Sequence, residues 1–123
     1  MLALLFMIAF QNADPLTEPP ALKDESACIC PALKEKPDVT LSGHVVDARV
    51  ILSADQRSVE DRMATIFDVK TSDAGLTGRT AVWHDVSDAK CGVTFDYGKN
   101  YSVAARRGEN GDLETDRCLM AAN

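Results

Sequence analysis

Beyond position 37 the sequence contains no proline, and all five prolines of the chain lie between positions 15 and 37. Proline interrupts helices and sheet pairing, so the early segment is excluded from regular structure. Histidine is nearly missing: His44 and His84 are the only two. Neither joins a recognisable triad, and the H-E-x-x-H spacing of a zinc hydrolase is absent. In a strand His84 and Asp85 point to opposite faces and cannot pair simply. Both histidines are therefore expected as half-exposed sheet residues and not as general bases. The D-x-D-x-D-G calcium pattern is also absent, so Asp55, Glu60 and Asp61 read as a solvated loop. Basic residues are too few for a nucleic-acid surface: 13 Lys and Arg stand against 19 Asp and Glu, a net charge of -6, which repels a phosphate backbone. Aromatics make up only 6% of the chain, and with so few to fill a core Trp83 is expected as a core anchor. No repeat, low-complexity tract or cofactor motif is present.

Long apolar runs are lacking too. The run from Leu2 to Phe10 has nine residues, too short to span a bilayer but suited to the apolar region of a signal peptide. Residues 1–13 are read as that peptide, with cleavage after Ala13. No Lys or Arg precedes the run, which admits a start further upstream. Residues 14–27, rich in proline and charge, read as an extended linker. Residues 28–123 are left as one domain, secreted into an extracellular or periplasmic space.

Four cysteines fall in that domain, as the close pair Cys28 and Cys30 and the distant Cys91 and Cys118. An even count in a short exported chain favours a disulfide framework. A bridge from Cys28 to Cys30 would close a strained ring, so each of them is expected to pair with one of the distant cysteines. Two pairings remain open. Either closes loops long enough to stabilise by roughly 4 kcal/mol per bridge on the chain-entropy estimate.

The body of the domain alternates with a period of two. Val39, Leu41, Gly43 and Val45 share one phase, whereas Val46, Ala48, Val50 and Leu52 share the opposite one. That slip predicts a β-bulge near Val45, which with Gly43 would let one long strand bend and serve both ends of a small barrel. Met63, Thr65, Phe67 and Val69 mark a second strand, residues 72–75 a turn, and Thr80 to Trp83 a third strand. Tyr101, Val103 and Ala105 form a fourth, Asn110-Gly111 a hairpin turn, and Leu113 to Thr115 a fifth. Only residues 87–90 look able to form a helical turn. Asn100-Tyr101-Ser102 satisfies the glycosylation sequon.

Several of these residues together resemble a known family. Cys28-Ile29-Cys30-Pro31, the long strand from Val39, Cys91-Gly92 with Phe95, Gly98, Tyr101 and Val103, and Leu113-Glu114-Thr115 before Cys118 are similar to the netrin-like module shared with the tissue inhibitors of metalloproteinases. The likeness runs from Cys28 to about Leu119 and is strongest to short bacterial members. It implies an all-β fold, an OB-type five-stranded barrel with a short helix, and pairing of Cys28 with Cys91 and of Cys30 with Cys118. In inhibitory members the chain starts at the first cysteine, whose free amine and carbonyl chelate the zinc of a protease. Carried over, Cys28 would chelate, Ile29 would enter the specificity pocket, and Ala89, Lys90 and Cys91 would form the adjoining ridge. A leader left in front of Cys28 would turn its nitrogen into an amide and block chelation; cleavage after Ala27 would restore it. The resulting expectation is a protein-binding module with no catalysis, resident metal or cofactor of its own. Its edge is Cys28, Ile29, Cys30, Pro31, Ala89 and Lys90, and its partner an extracellular or periplasmic protein. The alternative is an inhibitor of a zinc metalloendopeptidase.

Overall fold

A computed structural model describes residues 28–122. The signal-peptide reading of residues 1–13, the linker reading of 14–27 and the last residue of the domain fall outside them. The fold starts from two long strands, β1 (Val39–Leu52) and β2 (Val59–Ser72), followed by β3 (Gly78–Asp85), β4 (Asn100–Arg107) and the two-residue β5 (Leu113–Glu114). A 3₁₀ turn at Asp88–Lys90 follows β3, and a helix, α1 (Arg117–Ala122), ends the described chain. All five strands form one sheet in the order β1-β2-β3-β5-β4, which closes because β1 also pairs with β4. Every contact is antiparallel except β3 with β5, where Val82 faces Leu113.

The alternation of β1 explains how one strand joins both edges of the ring. Val39, Leu41, Gly43 and Val45 are buried in turn, and over Leu41 to His44 the strand pairs with β2 on one side and β4 on the other. Between Val45 and Asp47 the register against β2 slips by one residue, the bulge that the phase change predicts, and local twist increases there. A second slip falls between Ser42 and Gly43. A side chain at Gly43 would run into the backbone of Asp68 and Val69, so glycine is needed for the close approach of the two strands.

Past the bulge the outcome differs from the expectation that β1 serves both ends of a barrel. Ala48, Val50 and Leu52 are exposed, with Val50 and Leu52 at 55% and 52%. β4 leaves β1 at His44 and β3 pairs with β2 only from Arg62 onward. Past His44 the outer edge of β1 is therefore uncovered by any strand while β2 keeps β3 on its other side from Arg62 onward, and only the tip, Ile51 and Leu52 with Val59 to Asp61, extends as a two-stranded arm. Glu60 and Asp61 belong to this arm as strand residues, so only Asp55 of the expected acidic loop lies in a turn.

Inside the ring, Phe67 has no exposed surface and packs edge-on against Phe95 and Tyr101, with ring centroids 5.1 and 6.3 Å away. Leu41, Val82 and Val103 complete the centre. Trp83 is not part of this core. The period of β3 turns Val82 and His84 inward, so Trp83 between them lies half-buried on the outer face, with the Arg62 guanidinium 5.8 Å from its ring. His84 is corrected in the opposite sense, being 1% exposed. Its Nδ1–H donates to the Asp85 carbonyl at 3.1 Å, which leaves Nε2 to accept the Thr65 hydroxyl at 2.7 Å. Burial holds His84 below the ordinary histidine value. The fifth strand ends at Glu114, not Thr115. Thr115 is buried, its N–H donating to the Trp83 carbonyl at 3.0 Å and its hydroxyl to the Ala104 carbonyl at 2.6 Å. Residues 88–90 form the expected turn, but α1 has no counterpart in the alternation pattern.

Candidate functional site

Side chains two apart in an extended chain share a face, and the one between them points away. Cys28 and Cys30 both reach the body of the domain, whereas Ile29 is 79% exposed. Cys28 is bonded to Cys91 and Cys30 to Cys118, with Cα–Cα distances of 5.0 and 5.4 Å. This is the pairing that the family likeness implies. No free cysteine is present among the described residues.

The body side of the site is held by backbone bonds. Cys91 closes the 3₁₀ turn with a left-handed φ of 56°, its N–H donating to Asp88 O. Gly92 then donates to Ser87 O at 2.8 Å and Val93 to Asp85 O at 2.9 Å. Gly92 is buried so tightly that a Cβ would strike the backbone of Val86 and Ser87. The Cys91 carbonyl accepts the Arg117 N–H at 2.8 Å, which ties the turn to the start of α1 and hence to Cys118. The two bridges consequently lie side by side, with Sγ of Cys91 and Sγ of Cys118 3.7 Å apart.

A groove of about 470 Å³ opens along this edge. Ile29, Pro31 and Leu33 form its outer lip, Leu119 its floor, and Lys90 and Arg106 bring charge to its walls. Leu33 is 88% exposed, so the lip is an apolar surface facing water. Of the six edge residues expected from the sequence, Ile29, Cys30, Pro31 and Lys90 line the groove. Cys28 anchors behind it through its bridge. Ala89 is exposed in the 3₁₀ turn and does not line it.

Sequence reasoning missed the polar clamp beneath the groove. Arg106 of β4 donates through Nε and Nη2 to both carboxylate oxygens of Glu35 at 2.8 Å, and through Nη2 to Asp116 at 2.7 Å. The clamp fastens the segment after Cys30 to the sheet and to the residue before α1. The Arg106 hydrogen bond holds the Glu35 carboxyl below its usual value. Burial raises Asp116, but Arg106 and the Leu119 N–H, which donates to its Oδ1 at 2.8 Å, outweigh burial and hold it low. Arg106 is raised in turn by the same pair. Asp116 three residues before Leu119 is a helix N-cap pattern, the one signal that could have revealed α1. Nothing local marks Arg106, whose partners are 71 and 10 residues away.

His84 is bonded at both ring nitrogens inside the core. Lys90 pairs with Asp61 at 3.5 Å. Trp83 sits apart, half-buried on the outer face of β3. Among the described residues the one group of side chains placed to hold a metal ion is Cys28, Cys91 and Cys118, whose sulfurs are committed to the bridges. Among those residues no helix is long and apolar enough to cross a membrane. Compared with known proteins, the chain matches no family model, no curated protein and no solved structure.

Proposed function

We propose that this chain is a secreted protein-binding module of the netrin-like kind, its closed sheet an OB-type barrel, with no catalytic activity of its own. It engages an extracellular or periplasmic protein through the edge of Ile29, Cys30, Pro31 and Lys90. The observation that carries this reading is the exposure of Ile29 between two cross-linked cysteines. An apolar β-branched side chain held that rigidly in water has no packing role, and a pre-ordered lip loses little entropy on docking. Export is supported by the two bridges and the apolar leader.

An Ile29→Glu exchange tests it. Because Ile29 is 79% exposed, the variant should melt within about 3 °C of the parent, as a surface change of about 0.5 kcal/mol would. It should also lose the extracellular partner that the parent retains on a column. Unfolding of the variant, or unchanged retention, would place the site elsewhere, and Trp83 would be examined next.

The position of Cys28 at the head of the same edge supports a second reading, inhibition of a zinc metalloendopeptidase by chelation through the Cys28 amine and carbonyl. It requires a mature chain that starts at Cys28, because an amide nitrogen has no lone pair to offer. Intact mass of the exported protein decides the point, and a mass beginning at Asp14 would end this reading while leaving the first intact.

A further inference from the structure

We propose that the open edge of β1 joins a second copy of this chain, the two edges pairing antiparallel across a two-fold axis at Ala48. Val45 is the last residue bonded on that side, to Lys99 O and the Gly98 N–H. From Val46 to Leu52 no strand among the described residues lies along the edge. The Ala48 N–H shows what is lacking there: in place of a strand carbonyl it holds the neighbouring Asp47 carboxylate, with Oδ1 at 2.8 Å. An unpaired edge is a template for another strand, and lysine, proline or a covering loop ordinarily blunts it. The stretch Val46-Asp47-Ala48-Arg49-Val50-Ile51-Leu52 has neither lysine nor proline. Its register against β2 is regular from Asp47 to Val50.

Charge selects both the occupant and the register. Asp47 and Arg49 are two apart and share a face of the strand, and both are exposed. The Arg49 side chain has no ion pair or hydrogen bond among the described residues, whereas Asp47 Oδ2 holds Arg79 at 3.1 Å. When two antiparallel strands are related by a two-fold axis at one residue, the residue before it lies opposite the residue after it in the other strand. With the axis at Ala48, each Asp47 therefore faces Arg49 of the second copy, where opposite charges attract. An axis at Arg49 would set two guanidinium groups against each other, one at Asp47 would oppose two carboxylates, and one at Val50 would leave Arg49 facing Ile51. Only the Ala48 register matches all four charges.

At the axis the two Ala48 residues exchange N–H to carbonyl bonds. Each Asp47 Oδ1, released from its own Ala48 N–H, turns to Arg49 of the second copy, while Oδ2 keeps Arg79. Val50, 55% exposed in the single chain, comes to lie across from Val46 of the second copy, which covers apolar surface. A two-fold contact of this kind closes on itself and yields dimers, not filaments. It involves few residues, so it belongs with small, weak interfaces. Below the concentration at which it forms, the edge is free and its amides exchange as those of an uncovered edge do.

Sedimentation equilibrium of the full chain, with both bridges intact, tests the proposal. Between about 10 µM and 1 mM the parent should pass from monomer to dimer with no larger species. Arg49→Asp and Asp47→Arg should each weaken the dimer by more than about tenfold, because like charges then stand opposite each other twice. An equimolar mixture of the two variants should associate as the parent does, since each supplies the charges that the other needs. Both positions are exposed, so both variants should melt close to the parent. Exchange of the Ala48 amide should slow as the parent is concentrated, and Ile29→Glu should dimerise like the parent. The proposal is overturned if the parent stays monomeric up to 1 mM, if either charge variant dimerises as well as the parent, or if their mixture does not recover association. It is equally overturned if Ala48 exchange is independent of concentration, or if Ile29→Glu abolishes the dimer and so places the contact at the bridged edge.

Discussion

At the level of single residues, the domain rests on a few positions where only one side chain fits. Gly43 is buried where β1 and β2 cross most closely, and a methyl group there would meet the Asp68 carbonyl. The obstacle is the backbone of β2 at Asp68 and Val69, so it cannot swing aside. Gly43→Ala should therefore destabilise by about 1 to 3 kcal/mol, read as a lower urea midpoint with an unchanged slope. His84 makes a different demand, because it is buried as the neutral ring. Its folded value lies below the ordinary 6.5, so the unfolded chain takes up the proton first as pH falls. The stability that this residue contributes is complete above pH 6.5 and declines as pH drops through the folded value, by about 1.4 kcal/mol per unit of displacement. Glu35 and Asp116, also depressed, act only below their ordinary 4.5 and 3.8. Urea midpoints measured from pH 7 to pH 5 should fall on account of His84, and a flat profile would refute the assignment. Neither the burial of His84 nor the outward turn of Trp83 was legible from residue type. A period of two says that neighbours face opposite ways, but not which face the ring encloses.

Among the elements, the β1–β2 arm departs furthest from its sequence pattern. Val50, Ile51, Leu52 and Val59 have the composition of core strand, yet all are exposed. The reason is length: β1 and β2 have 14 residues each, whereas β3 and β4 have 8, so the longer pair runs past its neighbours and its tip has nothing to pack on. Opening free energy follows local burial. Amide exchange at Val50, Leu52 and Val59 should therefore be faster by orders of magnitude than at Leu41, Phe67 and Val103. Uniform protection along β1 would mean that the arm is covered in solution. The bulge itself was legible, since a phase change between Val45 and Val46 has no other simple cause. α1 was not, because six residues are too few for a periodic signal and only its Asp116 cap distinguishes them.

For the whole molecule, the two bridges act as one fastening. Taken alone they close loops with separations of 63 and 88 residues. Their N-terminal ends are neighbours, however, so once either exists the other closes only the short circuit through Cys91 and Cys118, which are 27 residues apart. On the chain-entropy estimate that second closure contributes about 3 to 4 kcal/mol. Replacing Cys28 and Cys91 by alanine, or Cys30 and Cys118, should then cost nearly the same despite the unequal loops, and removing all four should cost about 8 kcal/mol. Urea unfolding of the three variants checks this. A single-bridge cost that scaled with the nominal loop would show that the bridges act independently.

By itself the sequence determined the strand periods, the bulge in β1, the turn at Gly111 and the isolation of Ile29 between two cysteines, because these follow from bonding and side-chain direction over a few neighbouring residues. It narrowed the bridges to two pairings without choosing. Only the tertiary structure decided that choice, by closing the ring through the parallel contact of β3 with β5. That contact brings the turn at Cys91 against the start of α1 and puts four sulfurs in one place. The Arg106 clamp, the enclosed His84 and the groove between Leu33 and Leu119 belong to the same class. Each depends on which distant segments the closed sheet makes adjacent, and no local pattern carries that information.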